Sequence, residues 1–167
     1  MKNSLTILLI AFTLLTFGNA HKWLKKIDAY NTSSYYKYQI YKQENLVSFL
    51  KLKEINRTIQ IDSFDFMLMN ACIFYCTNQL RNQHKMPLYL YDKRLQDAAM
   101  IHSWQMAKYH FFEHNNPYTS SLSSVEKRLN EMDVKYSMSG ENCHLNLISE
   151  DEFTYLELAQ KVIESLY

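Results

Sequence analysis

The chain has 167 residues, with 18 Lys and Arg against 17 Asp and Glu and a net charge of +1. That is length enough for one domain with a real core, and so even a charge balance argues against a nucleic-acid partner, which asks for a clear basic excess. Only Gly18, Gly140, Pro87 and Pro117 break the backbone, so the rest reads as mostly long helices joined by a few turns.

The N-terminus has the pattern of an export leader. Lys2 precedes an apolar run, Ile7 to Phe17, and the small residues Gly18 and Ala20 stand where a signal peptidase cuts. The run is too short to span a bilayer, which needs about 20 apolar residues. Residues 1–20 are therefore expected to be removed, giving a secreted protein that begins at His21. No later stretch is long and apolar enough to predict a membrane span.

Residues 21–61 form an N-terminal arm rich in Tyr and Lys, with eight basic and three acidic residues and no Gly or Pro. Ile40, Val47, Leu50 and Ile55 hint at a helix there. Two N-x-S/T sequons, at Asn31 and Asn56, are glycan acceptors in an exported chain. A boundary is expected at Asp62-Ser63, with the domain proper over 62–167.

From Phe64 to about His84 a dense apolar pattern predicts a buried helix that Pro87 terminates, and Leu88 to Tyr91 an extended link. Asp92 caps a second helix to about Phe112, whose inward face is Leu95, Ala98, Ala99, His102, Met106 and Tyr109. A lone histidine on such a face reads first as a hydrogen-bonded core residue and only second as a ligand. Ser123-Ser124-Val125-Glu126 offers a capping box for a short third helix to about Met132. Val134 to Met138 predicts a strand leading into Gly140. A second box, Ser149-Glu150-Asp151-Glu152, is expected to open a last helix with Phe153, Leu156, Ala159, Val162, Ile163 and Leu166 inward.

Three cysteines, Cys72, Cys76 and Cys143, allow at most one internal bridge. Cys72 and Cys76 share a helix face and are poorly placed to bond each other. Either one of them reaches Cys143, with Cys76–Cys143 the pair expected, or both are small buried apolar residues. The chain lacks a Gly-rich phosphate loop, a G-x-S-x-G string and an H-E-x-x-H string.

The strings Asn78-x-x-Arg81, Met86-Pro87-Leu88, Asp92-x-x-Leu95-x-x-Ala98-Ala99, His102, Met106, Phe111-Phe112-x-His114-x-x-Pro117, Glu126-Lys127-Arg128 and Gly140-Glu141-Asn142 occur in one order with sensible gaps. Over residues 66–167 this series resembles the first half of the CAP superfamily of cysteine-rich secretory, antigen 5 and pathogenesis-related-1 proteins. The resemblance implies an α+β fold, the CAP-type α-β-α sandwich, here mostly helical because the chain ends before most of the sheet strands. It implies a secreted protein with a ligand cleft, and His114 and Glu141 match the cleft histidine and the glutamate of the G-E-N string.

The family's second cleft histidine follows a string like W-x-x-S-x-x-H. Here Leu166 stands where the tryptophan is usual, and the serine and histidine positions fall past Tyr167. His114 and Glu141 therefore supply two ligands of the three or four that a divalent cation such as zinc requires, and weak zinc binding is expected. The resemblance implies a non-enzymatic module that binds a lipid, a sterol or an extracellular protein. Its alternatives are a metal-assisted hydrolase or protease and a truncated product without activity of its own. With few strands to cover the helices, the arm is expected to shield their apolar faces through Tyr35, Tyr36, Ile40 and Leu50.

Overall fold

The computed structural model describes residues 6–14 (backbone), 40–149 and 151–166. In chain order the elements are β1 (Thr6–Leu14), α1 (Ile40–Gln43), α2 (Leu46–Phe49), α3 (Phe66–Gln83), α4 (Lys93–Tyr109), α5 (Val125–Glu131), β2 (Met138–Asn146) and α6 (Tyr155–Leu166). This is a helix-rich α+β fold. Two compact units divide the chain, one from Met1–Thr32 with Asp92–Leu147 and the other from Ser33–Tyr91 with Ile148–Tyr167. The boundary expected at Asp62-Ser63 falls inside the second unit, in a short 3-10 turn, Ile61–Ser63.

In the unit built on α3 and α6, the Asp65 carboxylate accepts from Leu68 N–H at 3.1 Å and starts α3. The helix buries Met67, Met69, Ala71, Cys72 and Tyr75, and α6 buries Tyr155, Leu158, Ala159, Val162 and Ile163. The arm supplies Phe49, Ile55 and Ile59 to this core, all with no exposed surface, each worth about 1.5–3 kcal/mol of apolar burial. Phe49 stacks on Tyr75 at 4.0 Å and Tyr41 on Tyr91 at 3.7 Å. Of the four arm residues expected to shield helices, Ile40 and Leu50 are half-buried, while Tyr35 and Tyr36 lie outside the described residues.

The strings around Pro87 are clamps. The Asn78 amide accepts from Tyr89 N–H at 2.8 Å and donates to Tyr89 O at 3.0 Å, as a neighbouring strand would. Arg81 Nε donates to Pro87 O at 2.7 Å, and its guanidinium lies 3.8 Å over the Tyr89 ring.

The last helix begins later than the expected box at Ser149 places it. Asp151 takes a left-handed φ of 56°, and Ile59 N–H reaches Phe153 O at 2.8 Å, so the chain stays extended through Thr154. The working box is Thr154 with Glu157: Glu157 N–H reaches Thr154 Oγ1 at 3.2 Å and Thr154 N–H reaches Glu157 Oε2 at 2.9 Å.

In the other unit, Asp92 caps α4 as expected, accepting from Arg94 N–H at 2.9 Å. The helix stops at Tyr109, short of the expected Phe112. His110 takes the left-handed conformation at φ 56°, and Phe111 N–H reaches back to Met106 O at 3.2 Å, a Schellman-type closure on a residue other than glycine. Ser124 starts α5. Ala98, Ala99, Leu129 and Val134 form a core with Leu95, Val125, Met132 and Tyr136 around it.

The strand expected at Val134 to Met138 lies further on. β2 runs through the G-E-N string, Met138–Asn146, and Val134 is a buried core residue before it. β1 pairs with β2 in parallel, from Thr6 opposite Met138 to Leu14 opposite Asn146. Residues 6–14 fall within the expected leader; the cleavage junction at Ala20, His21 and Asn31 lie outside the described residues.

The reciprocal cap on α6 predicts that Thr154→Ala lowers stability by about 1 kcal/mol. Urea unfolding monitored by circular dichroism reads the loss, and Ser149→Ala, at the box the helix does not use, leaves the midpoint unchanged.

Candidate functional site

His114, Glu141 and Arg128 meet in the unit built on α4, α5 and β2. Arg128, on α5, has no exposed side-chain surface, and Glu141, on β2, retains 1%. Their Nη2–Oε2 distance is 2.6 Å. Arg128 also donates from Nη1 to Leu122 O at 3.0 Å and from Nη2 to His114 O at 3.1 Å. One guanidinium thus ties the loop after α4 to β2. A buried carboxylate keeps its charge only with such a partner.

The other carboxylate oxygen faces the cluster. Glu141 Oε1 lies 3.0 Å from His114 Nδ1, and the His114 side chain is 60% exposed. Cys143 Sγ lies 3.6 Å from His114 Nδ1 and 3.7 Å from Glu141 Oε1. Glu141 and Cys143 are two apart on a strand, so their side chains leave the same face. Burial first, and then the Glu141 charge, push the Cys143 thiol up to about 12, so the sulfur is protonated at neutral pH.

His102, on α4, is completely buried. Its Nε2 contacts Glu113 O at 2.9 Å and lies 3.9 Å from Glu141 Oε1, while Nδ1 has no hydrogen-bond partner. Nε2 facing a carbonyl makes it the N–H of a neutral ring. Burial, and then the Arg128 charge, hold the His102 pKa below its ordinary value. The residue is the hydrogen-bonded core histidine expected from its helix face, and it also lies beside the cluster: ligand atoms of His102, Glu141 and Cys143 sit within 4.8 Å of one another.

The loop between α4 and α5 is held by buried amides. Asn116 Nδ2 donates to Gln105 Oε1, Gln105 Nε2 donates to Thr119 Oγ1 at 3.1 Å, and Asn116 Oδ1 accepts from Tyr118 N–H at 2.8 Å. Tyr118 stacks on Tyr109 at 4.8 Å between ring centres.

The structure thus brings His114 and Glu141 into contact. Cys76 and Cys143, the pair expected to bridge, belong to different units. All three cysteines are free thiols; Cys72 and Cys76 are buried in α3, where burial raises both pKa values, and Cys143 joins the cluster of the other unit. Arg128 and Cys143 are the members that the sequence reading passed over. The i, i+2 spacing of Glu141 and Cys143 marks them once the strand is placed through the G-E-N string. Asn56 is exposed on a 3-10 turn.

A helix-rich α+β domain that buries a carboxylate–guanidinium pair beneath an exposed imidazole defines the class. Residues 74–167 match the CAP family, described as the cysteine-rich secretory protein family, and the chain belongs to it. No curated protein matches the chain, and no solved structure does. Among the described residues no helix is long and apolar enough to cross a membrane.

Two outcomes follow from this geometry. Arg128→Met strips a buried carboxylate of its counter-charge and costs about 3–5 kcal/mol; the double variant Arg128→Met/Glu141→Gln costs less than the sum of the two single changes, as chemical denaturation of all four proteins would register. His102 binds a proton less readily folded than unfolded, so its contribution is fully present above the ordinary histidine value of 6.5 and is lost as pH falls through the depressed value. Melting curves below pH 6.5 should therefore fall more steeply for the native protein than for His102→Gln.

Proposed function

We propose that this protein is a secreted CAP-domain module that binds an apolar ligand of the lipid or sterol class and catalyses no reaction on it. The observation that carries this reading is the apolar flank of the His114 loop. Phe112 and Tyr118 are 42% and 58% exposed on a loop whose backbone Arg128 and Asn116 fix. Leu145 and Leu147, at and just past the end of β2, are exposed as well. Large apolar side chains held rigidly in water favour an apolar partner.

The polar cluster supports binding over hydrolysis. Glu141 is committed through Oε2 to Arg128, and the Cys143 thiol is protonated, so neither offers the free base or thiolate that nucleophilic catalysis uses. The hydrogen bonds and ion pairs named for the cluster run among residues 102–143, so they do not require β1, which leader removal would take away. Export agrees with the family's name and with the pattern of residues 1–20, and Asn31 and Asn56 become glycan acceptors in that compartment.

Protein recovered from the medium of an expressing eukaryotic culture should begin at His21. That form should float with phosphatidylcholine vesicles containing sterol, or saturably quench a fluorescent sterol, and Phe112→Ser/Tyr118→Ser should reduce the binding about tenfold while keeping the melting temperature. Retention of Met1 on a membrane-bound form would overturn secretion. Equal binding by the double variant, or none by the native protein, would overturn the ligand class.

A further inference from the structure

We propose that the link after Pro87 is an open strand edge that takes one added strand from a partner protein, an extended segment alternating apolar with acidic residues. This goes beyond the ligand-binding reading and does not depend on it. The backbone carries the proposal. In an extended chain the N–H and C=O of one residue point to the same side, and the side reverses at the next residue. Asn78, buried in α3, bonds both polar groups of Tyr89, and Arg81 Nε takes the Pro87 carbonyl. Pro87 and Tyr89 therefore face α3, and Leu88 and Leu90 face away from it. Among the described residues the N–H and C=O groups of Leu88 and Leu90 make no hydrogen bond. Pro87, which has no N–H, stands at an inward position, so the open side loses no donor to it.

The side chains select the partner. Leu88 and Leu90 are 46% and 81% exposed and share one face of the link, with Tyr89 turned to the other, beneath the Arg81 guanidinium at 3.8 Å. An unpaired edge carrying large apolar side chains is a template for pairing, which proteins otherwise blunt with charge or cover. A strand added here meets leucines on one face, so its residues on that face are apolar. Charge sets the rest. Residues 66–91 hold no Asp or Glu, Arg81 lies beside the link, and His84 and Lys85 are exposed at its start. Asp92, the next acid along the chain, is paired with Arg94. Carboxylates at the alternate positions of the incoming strand complement this edge, whereas a second copy of the same basic edge does not. Strand addition of this kind takes its affinity from main-chain hydrogen bonds and its specificity from alternate side chains.

The test uses the full chain, labelled for amide NMR, and the peptide acetyl-Glu-Val-Glu-Val-Glu-Val-Glu-amide. In the free protein the Leu88 and Leu90 amides should exchange quickly with water and the Tyr89 amide slowly. Saturating peptide should slow exchange at Leu88 and Leu90 by about tenfold or more and leave Tyr89 as it was. The same peptide with Lys in place of every Glu should bind about tenfold more weakly. Leu90→Pro deletes the outward N–H while keeping Tyr89 extended and should weaken binding at least about fivefold, the scale of one hydrogen bond. Leu90→Val keeps that N–H and should keep the binding. Should Leu90→Pro not fold, amide exchange and the lysine peptide decide the matter. Unslowed exchange at Leu88 and Leu90, equal binding of the lysine peptide, or the same affinity in Leu90→Pro and Leu90→Val would each overturn the edge. Dimerisation of the protein alone, lost in Leu90→Pro, would assign the edge to a second copy and overturn the acidic partner. Sterol binding is read through Phe112 and Tyr118 in a separate assay, so its failure leaves this result standing.

Discussion

The charge pair between Arg128 and Glu141 is the constraint on which the cluster depends. Both side chains are out of water, and an unpaired charge there is costly enough that the group would neutralise or the structure would open. The guanidinium meets that requirement with three acceptors, Glu141 Oε2, His114 O and Leu122 O. Because they belong to β2 and to the loop between α4 and α5, satisfying the charge also fixes the path of the loop. The planar fork of arginine suits this role, since its donors point in several fixed directions at once.

The same pairing divides the carboxylate between two tasks. Oε2 is structural and Oε1 is left to its neighbours, His114 at 3.0 Å and Cys143 at 3.7 Å. The buried side of the cluster is neutral at His102, whose proton is disfavoured by burial and by Arg128. The exposed side is the His114 ring. The cluster thus has a single open face, the exposed His114 ring, over a buried and paired interior.

In the other unit, order comes from aromatic packing and from side chains that imitate backbone. Tyr75 stacks on Phe49 and donates to Glu44 O at 2.7 Å, which ties the arm to α3. Asn78 pairs with both polar groups of the Tyr89 backbone, so the link after Pro87 is satisfied without a sheet. These contacts give the strings around Pro87 a structural role, holding the link after α3 against that helix.

By itself the sequence determined the long helices, because their apolar periodicity and caps are local: Asp92 starts α4 and Pro87 follows α3 where the pattern places them. It also determined the family, through an ordered series of short strings in which His114 and Glu141 stand out as cleft candidates. Tertiary structure decided the rest. The left-handed turns at His110 and Asp151 end one helix and delay another on residues with no glycine signal. β2 lies through Gly140 rather than before it, and only that placement turns Glu141 and Cys143 to one face. Arg128 reads in sequence as one more charge on a short helix, and its burial exists only once α5, the loop and the strand have met. A partner set by local periodicity can be read along the chain. A partner set by desolvation cannot, because the absence of water is a property of the assembled fold.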